Sequence, residues 1–162
     1  MKTYTAFYAS PLGQLKMVCS DEHLQALLFL NEEVPPQNDE HPLLDACAKQ
    51  LDEYFSCQRR IFELPLQQNG THFQQKVWLL LAQIPFGKTI SYNALSKQYG
   101  DVKAIRAVAS ANGKNNLAII VPCHRVIGSN QSLTGYAGGL RRKKWLLEHE
   151  ARHHSGVMTL EF

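Results

Sequence analysis

Cys123 and His124 stand side by side where an apolar run ends, in Ala118-Ile119-Ile120-Val121-Pro122-Cys123-His124-Arg125-Val126. A thiol and an imidazole are the parts of a nucleophile and its base. A free thiol, with a pKa near ~8.5, is only slightly ionised at neutral pH; a nearby imidazole can take its proton if a carboxylate fixes the tautomer. Adjacent residues of an extended segment point to opposite sides. Contact between this pair therefore needs a turn, or a water to relay the proton. The run Ala118–Val121 reads as a short buried strand, which Pro122 ends because it has no N–H to extend a ladder.

The surrounding pattern supplies the elements that must hold such a site. Thr71-His72-Phe73-Gln74 has the form of a capping box, and Phe73, Val77, Leu80, Leu81 and Ile84 make a helical stripe behind it. Pro85-Phe86-Gly87 closes that helix. A second helix is predicted from near Ser91 to Gln98 and a third from near Val102 to Asn112, with glycine after each. Two short helices across a glycine-containing turn read as a helix-turn-helix. The third carries Lys103 and Arg106 among small residues that include Ala107 and Ser110, which suits close approach to phosphates.

The last helix, about Leu140 to Glu150, opposes its own dipole. Arg141, Arg142, Lys143 and Lys144 open it, while Glu148 and Glu150 close it. Phosphate contact would explain the first inversion and an internal cationic partner for a glutamate the second. Arg152 to Gly156 reads as a frayed tail.

The first half differs in kind. Residues 3–8 and 14–19 alternate around a turn at Pro11-Leu12-Gly13, and Leu24–Leu30 adds an apolar strand. A loop from Asn31 to His41 leads to Pro42 at the start of a helix whose apolar face includes Cys47. Residues 60–64 suit an edge strand and 65–70 a linker. Charge divides at the same place: residues 1–70 hold five Lys/Arg against ten Asp/Glu, and residues 71–150 hold eleven against three. The basic half is expected to face an anionic partner.

The 162 residues, 44% hydrophobic and 19% charged, suit a globular chain. No apolar run approaches the ~20 residues of a membrane span, and the N-terminus lacks a signal-peptide core. The expectation is a soluble cytoplasmic monomer with no membrane partner. Cys19, Cys47, Cys57 and Cys123 include no Cys-x-x-Cys pair and are expected to be thiols. Cys19 with His23 falls short of the four ligands a structural zinc wants, so neither metal nor cofactor is expected.

The segments Ile84–Tyr92, Arg106–Val108, Ala111–Asn115, Ile120–Ile127, Gly135–Leu140 and Lys144–Glu150 closely resemble the O6-alkylguanine-DNA alkyltransferases in order and spacing. They cover about half the chain, and Ser10-Pro11-Leu12-Gly13 is a weaker match in the first half. The resemblance implies an α/β (α+β) protein: a ribonuclease-H-like sheet domain with a helix over residues 1–70, a mostly helical domain with a winged helix-turn-helix over 71–155, and a tail over 156–162. It implies irreversible, stoichiometric transfer of an alkyl group from O6-alkylguanine in double-stranded DNA to Cys123. O4-alkylthymine is left open as a second substrate.

On matching positions, Cys123 would be the acceptor, His124 the base acting through a water, and Glu150 the residue orienting His124. Asn115 would brace the turn. Tyr92 would donate to guanine N3 and help rotate the nucleotide out. Arg106 would fill the vacated stack as an arginine finger, with Lys103, Ala107, Ser110 and Arg125 among the DNA-binding residues. Backbone carbonyls of Cys123 and Val126 would accept from the guanine amino group, while Tyr136 and the Ala137 N–H would close over O6. Base flipping gives this chemistry the room a stacked duplex denies it, and the family's helix-turn-helix enters the minor groove. Ala109, Asn116 and Ala137 depart from the family's usual Gly, Pro and Ser. Two rivals remain on these residues: a lesion sensor that flips the base without repairing it, and a cysteine hydrolase built on Cys123, His124 and Glu150.

Overall fold

The computed structural model describes residues 2–128, 136 and 138–154, so Ala137 and most of the segment Ser129–Ala137 lie outside the described residues. The chain forms two compact units, one of residues 1–68 with 116–118, the other of residues 69–115 with 119–162.

In the first unit, β1 (Tyr4–Ser10), β2 (Gly13–Cys19) and β3 (Leu24–Phe29) make an antiparallel meander in the order β1-β2-β3. Ser10 pairs with Gly13 across the first turn, and its hydroxyl donates to the Gly13 carbonyl at 2.7 Å. Gly13 has φ 107°, a conformation that disfavours any side chain. Helix α1 (Pro42–Phe55) has Pro42 in its first turn and buries Leu44, Cys47, Leu51 and Tyr54. These side chains share the core of this unit with Ala6, Leu15, Met17, Leu24 and Leu27.

Residues 60–64 do not form the expected edge strand. The Gln50 side chain takes both the N–H and the carbonyl of Glu63, at 2.8 and 3.1 Å, so that backbone has nothing left for a ladder. The pairing falls instead at Leu66, within the expected linker, where Leu24 bonds Pro65 and Gln67.

The second unit begins with α2 (His72–Ala82), whose capping box is complete: Thr71 Oγ1 accepts from the Gln74 N–H, and Gln74 Oε1 accepts from the Thr71 N–H. Strand β4 (Ile90–Ser91) leads into α3 (Tyr92–Tyr99), capped by the Ser91 hydroxyl and ended by Gly100 at φ 110°. Asp101 caps a 3-10 turn (Val102–Ala104), and α4 (Ile105–Gly113) follows. The Trp78 indole donates to the Ala111 carbonyl at 2.8 Å, tying α2 to α4.

Ala118–Val121 is not a strand. Leu117 makes a single bridge to Leu27 and the chain then turns, with Ile119 at φ 69° and 1% exposed. A β-branched residue rarely adopts that φ. Burial was legible here; extension was not. Past a 3-10 turn (Cys123–Arg125), β5 (Val126–Ile127) pairs in parallel with β4, Ile90 opposite Val126 and Ser91 opposite Ile127.

Helix α5 (Leu140–His153) runs past the expected end at Glu150, so the frayed reading of Arg152 and His153 is corrected. The extension moves Glu150 inward and leaves Arg152 and His153 in the last turn, where the dipole favours them. Ser155 and all later residues lie outside the described residues. No helix among the described residues is long and apolar enough to cross a membrane.

Thr71→Ala removes the Oγ1 acceptor of the capping box. It should lower the stability of the protein by about 1 kcal/mol, read as a shift of the urea midpoint.

Candidate active site

Cys123 sits on a double turn. Its N–H donates to the Val121 carbonyl at 2.8 Å across Pro122, which has φ −82° and ψ 64°, the geometry of an inverse γ-turn. A 3-10 turn (Cys123–Arg125) follows, with the Arg125 N–H on the Pro122 carbonyl and the Val126 N–H on that of Cys123. Here is the turn that a neighbouring thiol and imidazole require. Asn115 braces it, donating to the Val121 carbonyl at 2.8 Å and hydrogen-bonding the Cys123 side chain.

The centre of the site is the buried carboxylate of Glu150. Its Oε2 accepts from His124 Nε2 at 2.7 Å and Arg125 Nη2 at 3.0 Å; its Oε1 accepts from Arg125 Nε at 2.7 Å and the Gly87 N–H at 3.3 Å. Arg125 Nη1 donates to the Ile84 carbonyl at 2.6 Å. This corrects the expectation that Arg125 binds DNA. The residue is 6% exposed and its guanidinium is committed to Glu150 and Ile84, so it is an internal counter-ion.

Burial pushes the Glu150 carboxyl up, but the His124 and Arg125 interactions outweigh it and hold the group well below the usual carboxylate range. Glu150 is therefore an anion that can only accept, and His124 Nε2 must be the nitrogen that carries the proton. Nδ1 is then the basic nitrogen, buried and without a protein partner. Burial lowers the His124 pKa; Glu150 opposes that shift, while Arg125 and Lys143 add to it. The imidazole is neutral at pH 7. Burial also raises the Cys123 thiol, partly offset by the Asn115 hydrogen bond and the Lys143 charge.

Lys143 is a functional candidate that sequence reasoning placed on phosphate. It is completely buried, with Nζ 5.9 Å from the centre of the Tyr92 ring. Desolvation lowers its pKa to about 8, with Cys123 opposing. The signal lay in spacing, since Lys143, Leu146 and Glu150 share one inward stripe of α5. Arg141 and Lys144, from the same basic cluster, are exposed.

Beside the turn lies a pocket of about 520 Å³ lined by Tyr92, Ile105, Arg106, Ala109, Asn112, Gly113 and Tyr136. Arg106, Ala107 and Ser110 are exposed on α4, and Lys103 is exposed just before it. The opposite face of α4 buries Val108, Ala111 and Asn112. Asn112 was not foreseen as a site residue, although its place beside Val108 and Ala111 marks the inward face. Its Nδ2 donates to the Tyr92 hydroxyl at 3.3 Å and to the Cys123 carbonyl at 3.5 Å, while its Oδ1 is buried and has no protein donor. The Tyr136 hydroxyl is likewise buried, with no hydrogen-bond partner among the described residues. Around Cys19 and His23, among the described residues of the first unit, no set of three potential metal ligands assembles.

Residues 72–152 match the family described as "6-O-methylguanine DNA methyltransferase, DNA binding domain", and residues 3–68 match the "ribonuclease-like domain" of the same family. The chain belongs to the 6-O-methylguanine DNA methyltransferase family. A constitutive methylated-DNA–protein-cysteine methyltransferase of Bacillus subtilis is 48% identical over 138 residues, 80% of this chain and 83% of that protein. A methylated-DNA–protein-cysteine methyltransferase of Methanosarcina acetivorans is 42% identical over 91% of this chain and 97% of its own. The crystal structure of Mycobacterium tuberculosis O6-methylguanine methyltransferase superposes with a TM-score of 0.84 at 40% identity, covering 93% of each chain. The M. tuberculosis OGT solved in complex with DNA gives 0.81 at 40% identity, over 90% of this chain and 92% of that one.

Glu150→Gln leaves Arg125 buried without its counter-ion, so stability at pH 7.5 should fall by about 3–5 kcal/mol in urea unfolding. The acid limb has a defined sign. Glu150 and His124 are both depressed, so their stabilisation is complete above the ordinary values of about 4.3 and 6.5. It is lost as pH falls through the folded-state values. The unaltered protein should therefore weaken progressively below about pH 6.5, and the glutamine variant should lack the carboxylate part of that decline.

Proposed function

We propose that this protein repairs DNA by direct reversal, moving a methyl or larger alkyl group from O6-alkylguanine to Cys123 in a single irreversible turnover. The observation that carries this reading is a buried thiol among three buried polar atoms that have no hydrogen-bond partner among the described residues: His124 Nδ1, Asn112 Oδ1 and Tyr136 Oη. Such atoms are costly unless a ligand or water completes them.

The residues divide the work as follows. His124 Nδ1 takes the Cys123 proton through a water, and Glu150 fixes the tautomer that makes this possible. The sulfur attacks the alkyl carbon in line. An S–C bond forms, the C–O6 bond breaks, and its electron pair leaves with the purine. Tyr92 donates a hydrogen bond to guanine N3, which helps the purine leave as an anion. Asn115 holds the turn, and the Lys143 ammonium favours the thiolate. Residues 71–155 bind duplex DNA in the minor groove through Lys103, Ala107 and Ser110, with Arg106 filling the gap left by the extruded nucleotide. The carbonyls of Cys123 and Val126 hold the purine amino group, and Tyr136 with the Ala137 N–H covers O6. The protein acts as a monomer, without metal or cofactor. Four free thiols fit a reducing cytoplasm.

Incubation with a duplex carrying O6-methylguanine should add one methyl per protein, on the peptide that contains Cys123, with no second round. Intact and peptide mass spectrometry reads both. Cys123→Ala should bind the duplex, more weakly as salt rises, and transfer nothing. Unmodified protein that retains the lesion duplex would identify a sensor; catalytic release of an ester product would identify a hydrolase.

A further inference from the structure

We infer that Gln68 is a positioning residue for transfer to Cys123: its side chain holds the peptide plane on which the bracing residue Asn115 turns. The inference rests on the reading of Cys123 as the alkyl acceptor. Gln68 lies outside both the helix-turn-helix and the turn at Cys123, and it acts through the chain.

The outer edge of β3 carries two short segments in tandem. Leu24 gives its N–H to the Pro65 carbonyl at 2.7 Å and accepts from the Gln67 N–H at 2.9 Å. Leu27 gives its N–H to the Asn116 carbonyl at 2.8 Å and accepts from the Ala118 N–H at 3.0 Å. Along a regular strand the backbone groups of successive residues face alternate edges, so residues 24 and 27 would look opposite ways. The bulge opposite Val18 and Cys19 leaves Gln25 out of register and brings both leucines to one edge. A single side chain joins the two guests of that edge: Gln68 Oε1 accepts from the Asn116 N–H at 2.6 Å. Residues 68 and 116 belong to the same compact unit.

The Asn116 N–H lies in the peptide plane that follows the Asn115 Cα. A peptide unit is planar, so fixing its N–H fixes its direction, and with it the ψ of Asn115. The N–H of Asn115 itself makes a long bond, 3.4 Å to the Asn112 carbonyl. From this Cα the side chain reaches two partners at once, the Val121 carbonyl at 2.8 Å and the Cys123 side chain. The second bond favours the thiolate. Hydrogen bonds weaken steeply with misalignment, and one amide that serves two acceptors of a tight turn has little angular freedom. Release of the 115–116 plane therefore loosens the hold on both.

The test is single-turnover methyl transfer from an O6-methylguanine duplex, at saturation, by Gln68→Leu and Gln68→Glu. The leucine variant keeps the bulk and loses the acceptor, and it should react at least about threefold more slowly, within the worth of one hydrogen bond. The glutamate variant keeps an acceptor at the same reach and should stay within about twofold of the unaltered rate. Duplex affinity, measured in the Cys123→Ala background, should be the same for all three side chains. In Asn116→Pro, which has no N–H to give, Gln68→Leu should add no further slowing. Urea unfolding checks that each variant is folded under the assay conditions; if the proline variant is not, the comparison of leucine with glutamate decides. An undiminished rate in the folded leucine variant, a glutamate variant as slow as the leucine one, a loss confined to duplex affinity, or full slowing in a folded Asn116→Pro background would overturn the inference alone. Failure of the unaltered protein to take up the methyl group would overturn the reading of function and the inference with it.

Discussion

A carboxylate taken out of water costs several kcal/mol unless its lone pairs are met and its charge is balanced. Glu150, carried on α5, meets both conditions with four donors drawn from two other places: the loop after α2 through Gly87, and the turn at Cys123–Arg125 through His124 and Arg125. None of these pieces can shift far without exposing the charge or leaving it unpaired. The division of labour within the cluster matters as much. Because the Arg125 guanidinium balances the anion, the imidazole need not be protonated to do so. It can rest neutral, with its basic nitrogen turned to other use.

The short parallel pair β4–β5 complements that anchor. It sets Ser91 beside Ile127 and so fixes the start of α3, where Tyr92 stands, against the strand that leaves the turn at Cys123–Arg125. Helix α4 then works on two faces. Arg106 and Ser110 look outward, while Asn112 reaches from the other side to the Tyr92 hydroxyl and the Cys123 carbonyl. One short helix thus carries both an exposed cationic side chain and a side chain bonded to the backbone of Cys123.

Sequence periodicity sufficed where residues repeat over several turns. The meander, α1, the capped start of α2 and the helix-turn-helix were all legible, because hydrophobic stripes and capping residues are local signals. It failed where one tertiary hydrogen bond decides the backbone. Gln50 claims Glu63 and cancels an edge strand, and Ala118–Val121 turns although its composition suits a strand. The pair β4–β5, at two residues each, has no period to read. In the site, Cys123, His124, Glu150, Asn115 and Tyr92 were marked by motif. The cation opposite Glu150 was expected, but charge alone could not tell Arg125 from a surface arginine. Lys143 and Asn112 were hidden for the same reason. Each is polar in type and buried in fact, and only the helical phase of its neighbours gives it away.

The burial of Cys123 has a bearing on shelf life. A thiol used many times can be re-reduced or replaced by turnover, but one used once is lost to any stray electrophile or oxidant that reaches it first. At 5% exposure and with its proton held by desolvation, the sulfur rests in its least reactive form. Waiting, for such a molecule, is as demanding a task as reacting.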